Sequence, residues 1–316
     1  MAQQPTVIHM PQAKFVLATD SAYRLDLTVW ALRRRGTNAI DRWDAGQYSR
    51  ILDLGDDPLR VLVKQDASKA EPTLNMTVQS RTGIGKQATA QARLLIQKML
   101  GLKVDLTPFY DMAGSHEPIN ALATQFAGVR PPRFPSVFEG LVNAIACQQV
   151  TLDLGIVLLN RLAEKFGKGF AGDTTTQHAF PAAARLAEAS EGAIKEVGFS
   201  YQKARSIKEL ATNVAEQRID LDSLEHTTSK EATQRLLAIR GVGRWSAEYV
   251  LLRALGRLDT FPGDDVGAQN NLQRLFHLSD RPDYEHIRRL TSGWRPYQGV
   301  VYFHLLLDRL HAKGVI

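Results

Sequence analysis

Two adjacent carboxylates, Asp264 and Asp265, follow the segment FPG at 261–263. About one helix earlier, the segment GVG at 241–243 places one apolar residue between two glycines. Glycines in such a turn permit positive φ and close approach of the backbone to another molecule, while Val242 can fill the space between the two helices. The two features together predict acidic side chains held beside a bound partner.

The residues around the glycine turn predict which partner it binds. The first helix starts at Thr228 or Ser229, where Thr228 and Glu231 have the spacing of a capping box, and ends near Arg240. A second helix starts near Arg244, and its free N–H groups form an anion site. The chain carries a formal net charge of +6. Nucleic-acid phosphate is therefore the expected anion, gripped without reading of sequence.

The same turn also fits a simple αα-corner, in which Gly-x-Gly ends one helix and permits the next. The neighbouring residues favour the DNA hypothesis: Arg244 follows the second glycine, and Trp245 and Tyr249 lie four apart on one helix face. That aromatic spacing is also found on helices that face a protein core. The two aspartates after the turn are the feature that an ordinary corner does not explain.

With these residues, segment 236–265 resembles the helix-hairpin-helix, Gly/Pro-rich loop and aspartate motif of the DNA glycosylase superfamily, most closely the DNA-3-methyladenine glycosylase II branch. The resemblance extends to FEGLVNAIACQQVTLDLGIVLLNRLAEKFG at 138–167, GFSYQKARSIKELA at 198–211 and WRPYQGVVYFHLL at 294–306. It implies an all-α helix-hairpin-helix glycosylase domain, which we assign to residues 113–316.

Residues 1–112 have a different pattern, and we assign them to an α+β N-terminal domain. Two-residue alternation predicts strands at 23–29 and 74–78, and a hairpin of strands 48–54 and 59–64 around a turn at 55–58. Residues 86–100 have helical composition and end at a glycine. We therefore predict an antiparallel sheet with a helix. The resemblance implies that this domain is a TATA-binding-protein-like half-fold with a structural role.

The helical pattern of the second domain is interrupted at Gln148-Gln149 before it resumes at Leu152. From the residues alone, this break is a helix junction whose amides bond the backbone. The resemblance implies that the turn faces DNA and supplies the residue that fills the gap left by a flipped nucleotide. Gln149 is the first choice for that wedge, with Gln148 and Val150 as its neighbours.

The resemblance places Asp265 at the family's catalytic position and leaves Asp264 to cap the following helix or steady the loop. Cleavage of an N-glycosidic bond develops positive charge on the sugar, which an ionised carboxylate stabilises electrostatically. The alternative for two aspartates before a helix is capping alone.

Position 245 separates two reaction types. Glycosylases of the superfamily that also cut the strand use a lysine at about this position to form a Schiff base. This chain has Trp245, which predicts a monofunctional enzyme that uses water. Trp245 and Tyr249 would form a stacking wall of the base pocket, with Leu306 where relatives often carry an aromatic residue. Such a wall favours a cationic N3- or N7-alkylated purine.

Further basic residues could contact DNA. Lys203 and Arg205 lie near a helix start, where phosphate contact and exposed solvated charge are equal alternatives. Arg33-Arg34-Arg35 could touch DNA, although a solvated basic loop is the commoner explanation. The resemblance also implies that carbonyls of Gly241 and Gly243 could hold a sodium or potassium ion between protein and phosphate.

Cysteine and histidine usage limits other chemistry. Cys147 is the only cysteine, so no four-cysteine iron–sulfur cluster is expected, and its apolar surroundings predict a buried structural thiol. His304 lies in an apolar helical pattern typical of a core histidine. The histidines show no zinc spacing with the lone cysteine.

The sequence thus predicts a glycosylase that acts on double-stranded DNA with damaged bases, as a monomer. We found no secretory leader or membrane-length apolar run, so we expect a cytoplasmic location, associated with the nucleoid if the source is bacterial. Two alternatives stay open: a glycosylase for deaminated or oxidised bases, and a non-catalytic helix-hairpin-helix DNA-binding protein.

Overall fold

The protein is described by a computed structural model that covers residues 10–19, 23–55, 57–66, 72–171 and 175–316. The strands are β1 Gln12–Ala18, β2 Arg42–Asp44, β3 Gln47–Leu52, β4 Leu59–Asp66, β5 Thr73–Gln79, β6 Gly169–Ala171 and β7 Thr176–His178. The helices are α1 Leu25–Arg33, α2 Lys86–Met99, α3 Thr107–Gly114, α4 Ile119–Gln125, α5 Val137–Cys147, α6 Leu152–Phe166, α7 Ala183–Glu188, α8 Glu191–Lys195, α9 Tyr201–Ala215, α10 Ser229–Leu237, α11 Arg244–Arg253, α12 Val266–Leu275, α13 Tyr284–Leu290 and α14 Gln298–Ala312. Residues Asp222–His226 and Thr291–Trp294 form short 3-10 helices.

The N-terminal sheet is antiparallel, with five strands in the order β1-β5-β4-β3-β2. The predicted hairpin is confirmed: β3 pairs with β4, with Leu52 opposite Leu59, although Asp56 of its turn lies outside the described residues. Tyr48, Val63 and Met76 are aligned across β3, β4 and β5, and all three are buried. The alternation in the sequence therefore marks the face of the sheet that packs on the core.

The predicted strand at 23–29 is wrong, because these residues belong to helix α1. Leu25, Val29 and Leu32 face one buried cluster, whereas Leu27 and Ala31 face another. A helix buried on both sides carries apolar residues at nearly every position, so a short window of it can show a two-residue alternation. Arg34, with φ of 62°, ends the helix in a left-handed conformation.

The helical part agrees with the predicted pattern. Helices α5 and α6 flank the predicted break at residues 148–151, and Ser136 and Thr151 cap their N-termini through side-chain hydrogen bonds. The small β6–β7 sheet lies between α6 and α7, and residues 172–174 of this segment lie outside the described residues. No helix in the described ranges is both long and apolar enough to span a bilayer.

The hydrophobic core joins the sheet to the helices. One buried cluster contains side chains of β3–β5 together with α5, α6, α9, α10 and α11, and a second joins α1 to α3, α4 and α14. Inside the first, buried Arg50 of β3 bonds both Asp41 at 2.7 Å and Glu139 of α5 at 2.5 Å. The helices that carry the candidate site are thus fixed against the N-terminal sheet.

Candidate active site

The predicted helix-hairpin-helix is present as α10, residues 238–243 and α11. The capping box is confirmed: the Glu231 amide donates to Thr228 Oγ1 at 3.2 Å, and the Thr228 amide donates to Glu231 Oε2 at 3.0 Å. Helix α10 ends at Leu237, slightly earlier than predicted. Val242 is 7% exposed and belongs to the core cluster, so it fills the space between the helices as expected.

The two hairpin glycines have different reasons for being glycine. Gly241 has a φ of 81°, and a Cβ there would lie 2.7 Å from Ser206 Oγ. Gly243 is the N-cap of α11 with an ordinary φ of −96°, and a Cβ there would meet nothing within 4 Å. Gly241 therefore serves the fold, whereas the space beside Gly243 is open to another molecule.

The turn between α5 and α6 clamps this hairpin. Gln148 Nε2 donates to the Gly241 carbonyl and to Ser246 Oγ, both at 2.8 Å. Lys203 Nζ donates to the carbonyls of Ala146 and Gln148 at 3.0 and 2.6 Å. Lys203 is thus not a free solvated charge, because its ammonium group satisfies the last carbonyls of α5, and its contact with phosphate stays a prediction.

Gln149 differs from Gln148. Its side chain is exposed, it lines the cleft, and its φ of 52° is in the left-handed region that non-glycine residues seldom occupy. Gln148 therefore fits the helix-junction interpretation, and Gln149 has the exposed position required of a wedge. Arg205, in contrast, is exposed on α9 and is not a lining residue of the cleft.

The residue that caps helix α12 is Asp265, whereas the sequence predicted Asp264 as the cap. Helix α12 begins at Val266, so Asp265 is its N-cap, and Asp265 Oδ1 accepts the Ala268 amide at 2.8 Å. Asp264 instead accepts two hydrogen bonds from Arg244, at 2.6 and 3.0 Å. The expected capping role of Asp264 is wrong, and its pairing with Arg244 joins the loop to the start of α11.

Arg244 is therefore not a free cation. Its guanidinium group also stacks on the Tyr284 ring, 3.6 Å from the centroid. The hydrogen bond with Asp264 raises the pKa of Arg244 above its usual value. This arrangement leaves the backbone N–H groups of α11 as the predicted anion site of the hairpin.

Asp265 Oδ2 receives two further donors from side chains. Trp245 Nε1 donates to it at 3.2 Å, and the Tyr302 hydroxyl donates at 3.3 Å. Burial raises the pKa of Tyr302 well above its usual value, and the charge of Asp265 acts in the same direction. The hydroxyl is thus a stable proton donor to the carboxylate. No pattern in the sequence pointed to Tyr302, which lies 37 positions from Asp265.

The predicted aromatic wall is present. The Trp245 and Tyr249 rings stack with centroids 5.2 Å apart and an angle of 30°. Trp245 is half-buried, and Leu306 lies at the opposite side of the same cleft lining, from helix α14. Tyr249 is almost fully buried behind Trp245, so both the stacking and the core-facing interpretations apply to it.

The N-terminal part contributes Arg34 to the structure around the cleft, although the sequence predicted a solvated basic loop for this residue. Arg34 Nη1 donates to the Tyr249 hydroxyl and Nη2 to Asn143 Oδ1, both at 2.6 Å. Arg34 is 4% exposed, and Arg33 is equally buried against backbone carbonyls of residues 36–43. The solvated basic loop predicted for these residues is wrong, because α1 ends against α11 and not in solvent.

Asp265 and the aromatic residues Trp245, Tyr249 and Tyr302 line one cleft with a volume of about 1790 Å³. Its lining includes the predicted residues Gln148, Gln149, Gly243, Arg244, Trp245, Tyr249, Asp265 and Leu306, whereas Gly241, Val242 and Lys203 are not among the lining residues. Cys147 is half-buried and also lines the cleft, so its prediction as a buried core thiol is wrong. The exposed side chains of Arg274, Arg309 and Lys313 are also among the lining residues, and Arg274 forms an ion pair with Asp308.

Comparison with known proteins agrees with this geometry. Residues 142–296 match the HhH-GPD family, described as the HhH-GPD superfamily of base excision DNA repair proteins. Over these residues the chain is similar to the HhH-GPD superfamily.

Two named proteins that are similar to this chain are DNA-3-methyladenine glycosylases. It is 29% identical to the DNA-3-methyladenine glycosylase of Bacillus subtilis (strain 168) over 210 residues, which are 66% of this chain and 69% of the relative. It is 27% identical to DNA-3-methyladenine glycosylase 2 of Escherichia coli (strain K12) over 178 residues, which are 56% of this chain and 60% of the relative.

Solved structures confirm the fold over nearly the whole chain. The 3-methyladenine DNA-glycosylase from Archaeoglobus fulgidus aligns with a TM-score of 0.81 at 23% identity, covering 94% of this chain and 98% of that one. An 8-oxoguanine glycosylase/lyase of Clostridium acetobutylicum aligns with a TM-score of 0.73 at 16% identity, covering 94% and 97%. The α+β N-terminal part and the helical part are therefore both features of this fold.

Proposed function

We propose that this protein is a monofunctional DNA glycosylase that excises N3- and N7-alkylated purines from double-stranded DNA and leaves an abasic site. The observation that carries the proposal is the Asp265 carboxylate. It lies in the cleft, is held by three hydrogen-bond donors and adjoins the stacked Trp245 and Tyr249 rings. The named relatives are enzymes of this class.

The chemistry follows from the charge that develops on the sugar. The bond between C1′ and the base nitrogen breaks with its electron pair leaving on the base, and C1′ becomes cationic. The Asp265 carboxylate stabilises this charge electrostatically and can accept a proton from the water that attacks C1′. A cationic alkylated purine leaves as a neutral molecule, so the reaction needs no general acid.

Base flipping would use the two turns beside the cleft. Extrusion of a nucleotide costs a few kcal/mol, least where damage already weakens pairing. Gln149, exposed at the tip of the α5–α6 turn, is the residue we assign to the gap in the stack. The free N–H groups at the start of α11 would grip a phosphate beside Gly243, with Arg274, Arg309 and Lys313 adding a salt-sensitive attraction.

The monovalent ion at the hairpin is also a proposal. The Gly241 carbonyl accepts the Gln148 amide, and the Gly243 carbonyl accepts the Ala247 amide at 2.9 Å. A carbonyl oxygen has two lone pairs, so each keeps one for a cation or for water. We also propose that the protein acts as a monomer.

The proposed function is tested by exchanging each member of the aspartate pair separately. We expect Asp265→Asn to lower the single-turnover excision of 7-methylguanine from a defined duplex by about 100-fold or more. Asparagine caps helices as well as aspartate does, so α12 keeps its N-cap. Asp264→Asn, which loses charge at the neighbouring position, should stay within about tenfold of the wild type.

The outcome is read from free base released and from binding to the same duplex. Wild-type release with Asp265→Asn binding but not releasing supports the proposal. Equal release by the wild type and Asp265→Asn would remove Asp265 from its role. DNA binding without release by the wild type would favour a non-catalytic protein, and release of only deaminated or oxidised bases from a lesion panel would change the substrate class.

A further inference from the structure

The acceptor sites of the Asp265 carboxylate are unequally occupied. A carboxylate has about four lone-pair sites, two on each oxygen. Oδ2 accepts from both Trp245 Nε1 and the Tyr302 hydroxyl, whereas Oδ1 accepts from the Ala268 amide. Within the described residues, the two sites of Oδ2 are therefore used and one site of Oδ1 stays available to a substrate or water.

Tyr302 is well placed to act as a fixed support. Its side chain is 9% exposed, and its ring packs edge-on against Phe261 and Phe303, with centroids 5.7 and 5.9 Å away. Phe261 belongs to the loop that carries Asp265. The ring thus holds the loop while the hydroxyl holds the carboxylate.

The same face of α14 fixes the start of this loop. One turn before Tyr302, the Gly299 amide donates to the Leu258 carbonyl at 2.7 Å. A Cβ at Gly299 would lie 2.4 Å from Leu252 Cδ1 and 2.9 Å from the Leu258 oxygen, so the loop and the helix are in close contact. Helix α14 therefore supports the Asp265 loop at two points, residues 258–260 and the carboxylate itself.

On the basis of the proposed function, we infer that Tyr302 is a positioning residue that fixes the Asp265 carboxylate with Oδ2 turned away from the sugar and Oδ1 toward it. The torsion about Cβ–Cγ of an aspartate is soft and roughly two-fold. Trp245 constrains Oδ2 from α11 alone. The second donor to Oδ2 comes from a different helix, α14, and adds a third point of attachment to those from Ala268 and Trp245.

The inference is tested with Tyr302→Phe, which deletes one oxygen and keeps the ring between Phe261 and Phe303. We expect the single-turnover rate constant at saturating enzyme to fall about tenfold or more, because the lost bond is to a charged group in the reacting geometry. Two measures of DNA binding should stay within about twofold of the wild type: the enzyme concentration for half-maximal rate, and the Kd for duplex DNA with a tetrahydrofuran abasic-site analogue. This result is expected because the loss is confined to the chemical step.

Tyr48→Phe is the matched control. Tyr48 is also a buried tyrosine whose hydroxyl donates to a carboxylate, Asp41 at 2.8 Å, but it lies in the N-terminal sheet and does not line the cleft. Tyr48→Phe should lose about the same free energy of unfolding in urea as any removal of such a buried hydroxyl. Its single-turnover rate constant should equal that of the wild type.

The outcomes separate this inference from the proposed function. If the wild type excises the base and Tyr302→Phe does so at the same rate, Tyr302 has no positioning role and the proposed function stands. If the Tyr302→Phe rate falls only in parallel with DNA affinity, or with a loss of unfolding free energy well beyond that of Tyr48→Phe, the residue is merely structural and the inference is overturned. Lack of excision by the wild type would refute the proposed function itself.

Discussion

Trp245 determines which nucleophile the cleft can offer. Its indole N–H donates to Asp265, and the cleft wall at this point of α11 holds no amine. Lys203 Nζ is turned inward to carbonyls of the α5 end, and among the described lining residues Lys313 is the only lysine, exposed at the far end of α14. An amine that forms a Schiff base must reach C1′. Water is therefore the expected nucleophile.

This expectation is tested by trapping with borohydride, which reduces a Schiff base to a permanent crosslink. We expect no covalent protein–DNA product when the wild type is incubated with alkylated duplex and borohydride, while abasic sites accumulate. Lys313→Ala provides the control for adventitious trapping at the exposed amine. A crosslink that persists in Lys313→Ala would contradict the monofunctional assignment and point to a different lysine.

At this scale, the sequence predicted residues whose role depends on their neighbours along the chain. Thr228 and Glu231 are an example, because a capping box is completed within one helical turn. It did not predict partners that only the fold brings together: Arg34 and Tyr249 lie 215 positions apart. The sequence also predicted the wrong aspartate as the cap of α12. The N-cap is the residue just before the helix, so an error of one residue in the predicted helix start moves the cap from Asp265 to Asp264.

The hairpin is the element where glycine substitutions can separate folding from DNA binding. Gly243→Ala should change the free energy of unfolding by less than about 1 kcal/mol, since alanine adopts this φ and is only a weaker N-cap than glycine. It should weaken DNA binding about tenfold or more, because the new methyl group occupies the open space where a phosphate approaches the N–H groups of α11.

Gly241→Ala is the companion variant with the reverse expectation. Its φ of 81° and the contact with Ser206 Oγ should lower the free energy of unfolding by about 1–2 kcal/mol. Urea unfolding and fluorescence anisotropy on an abasic-analogue duplex measure the two effects. Wild-type DNA affinity of Gly243→Ala would mean that the phosphate binds elsewhere than at this helix start.

Among elements, long and strongly patterned ones were predictable. The β3–β4 hairpin and α2 follow from alternation and from a terminal glycine, each a local feature. Helix α1 was mistaken because it is buried on both sides, between two core clusters, so its sequence lacks the polar stripe of a surface helix. Its end position, in turn, is what directs Arg34 to Tyr249.

At the scale of the whole molecule, the N-terminal part is more than a support for the helical part. Besides Arg34, the buried Arg253 of α11 donates to the carbonyls of Ala31 and Leu32 at 2.8 and 3.1 Å, so α1 and α11 are bonded in both directions. Residues from both parts therefore build the wall behind the base pocket. The structural role that the resemblance implied for residues 1–112 is incomplete, because α1 also sets the position of Tyr249.

His304 makes the stability of the whole molecule depend on pH. It is fully buried in α14 beside the Phe109 ring, with Nδ1 on the Val300 carbonyl, which confirms the prediction of a core histidine. Burial lowers the pKa of His304 from 6.5 to about 4. Between these values the unfolded chain binds a proton that the folded chain does not, so stability falls as the pH drops from 6.5 toward 4.

The size of this effect follows from the pKa difference and amounts to about 3 kcal/mol when titration is complete. We expect His304→Leu to lack this component, so that its free energy of unfolding in urea increases relative to that of the wild type as the pH falls from 7 to 4.5. The exposed His286 supplies the control, because His286→Gln should run parallel to the wild type. Carboxylates that also titrate in this range are shared by all three proteins and cancel in the differences. A constant difference in unfolding free energy between His304→Leu and the wild type at every pH would contradict this prediction. It would show that His304 binds its proton equally in the folded and unfolded states, and that the acid sensitivity of the fold arises elsewhere.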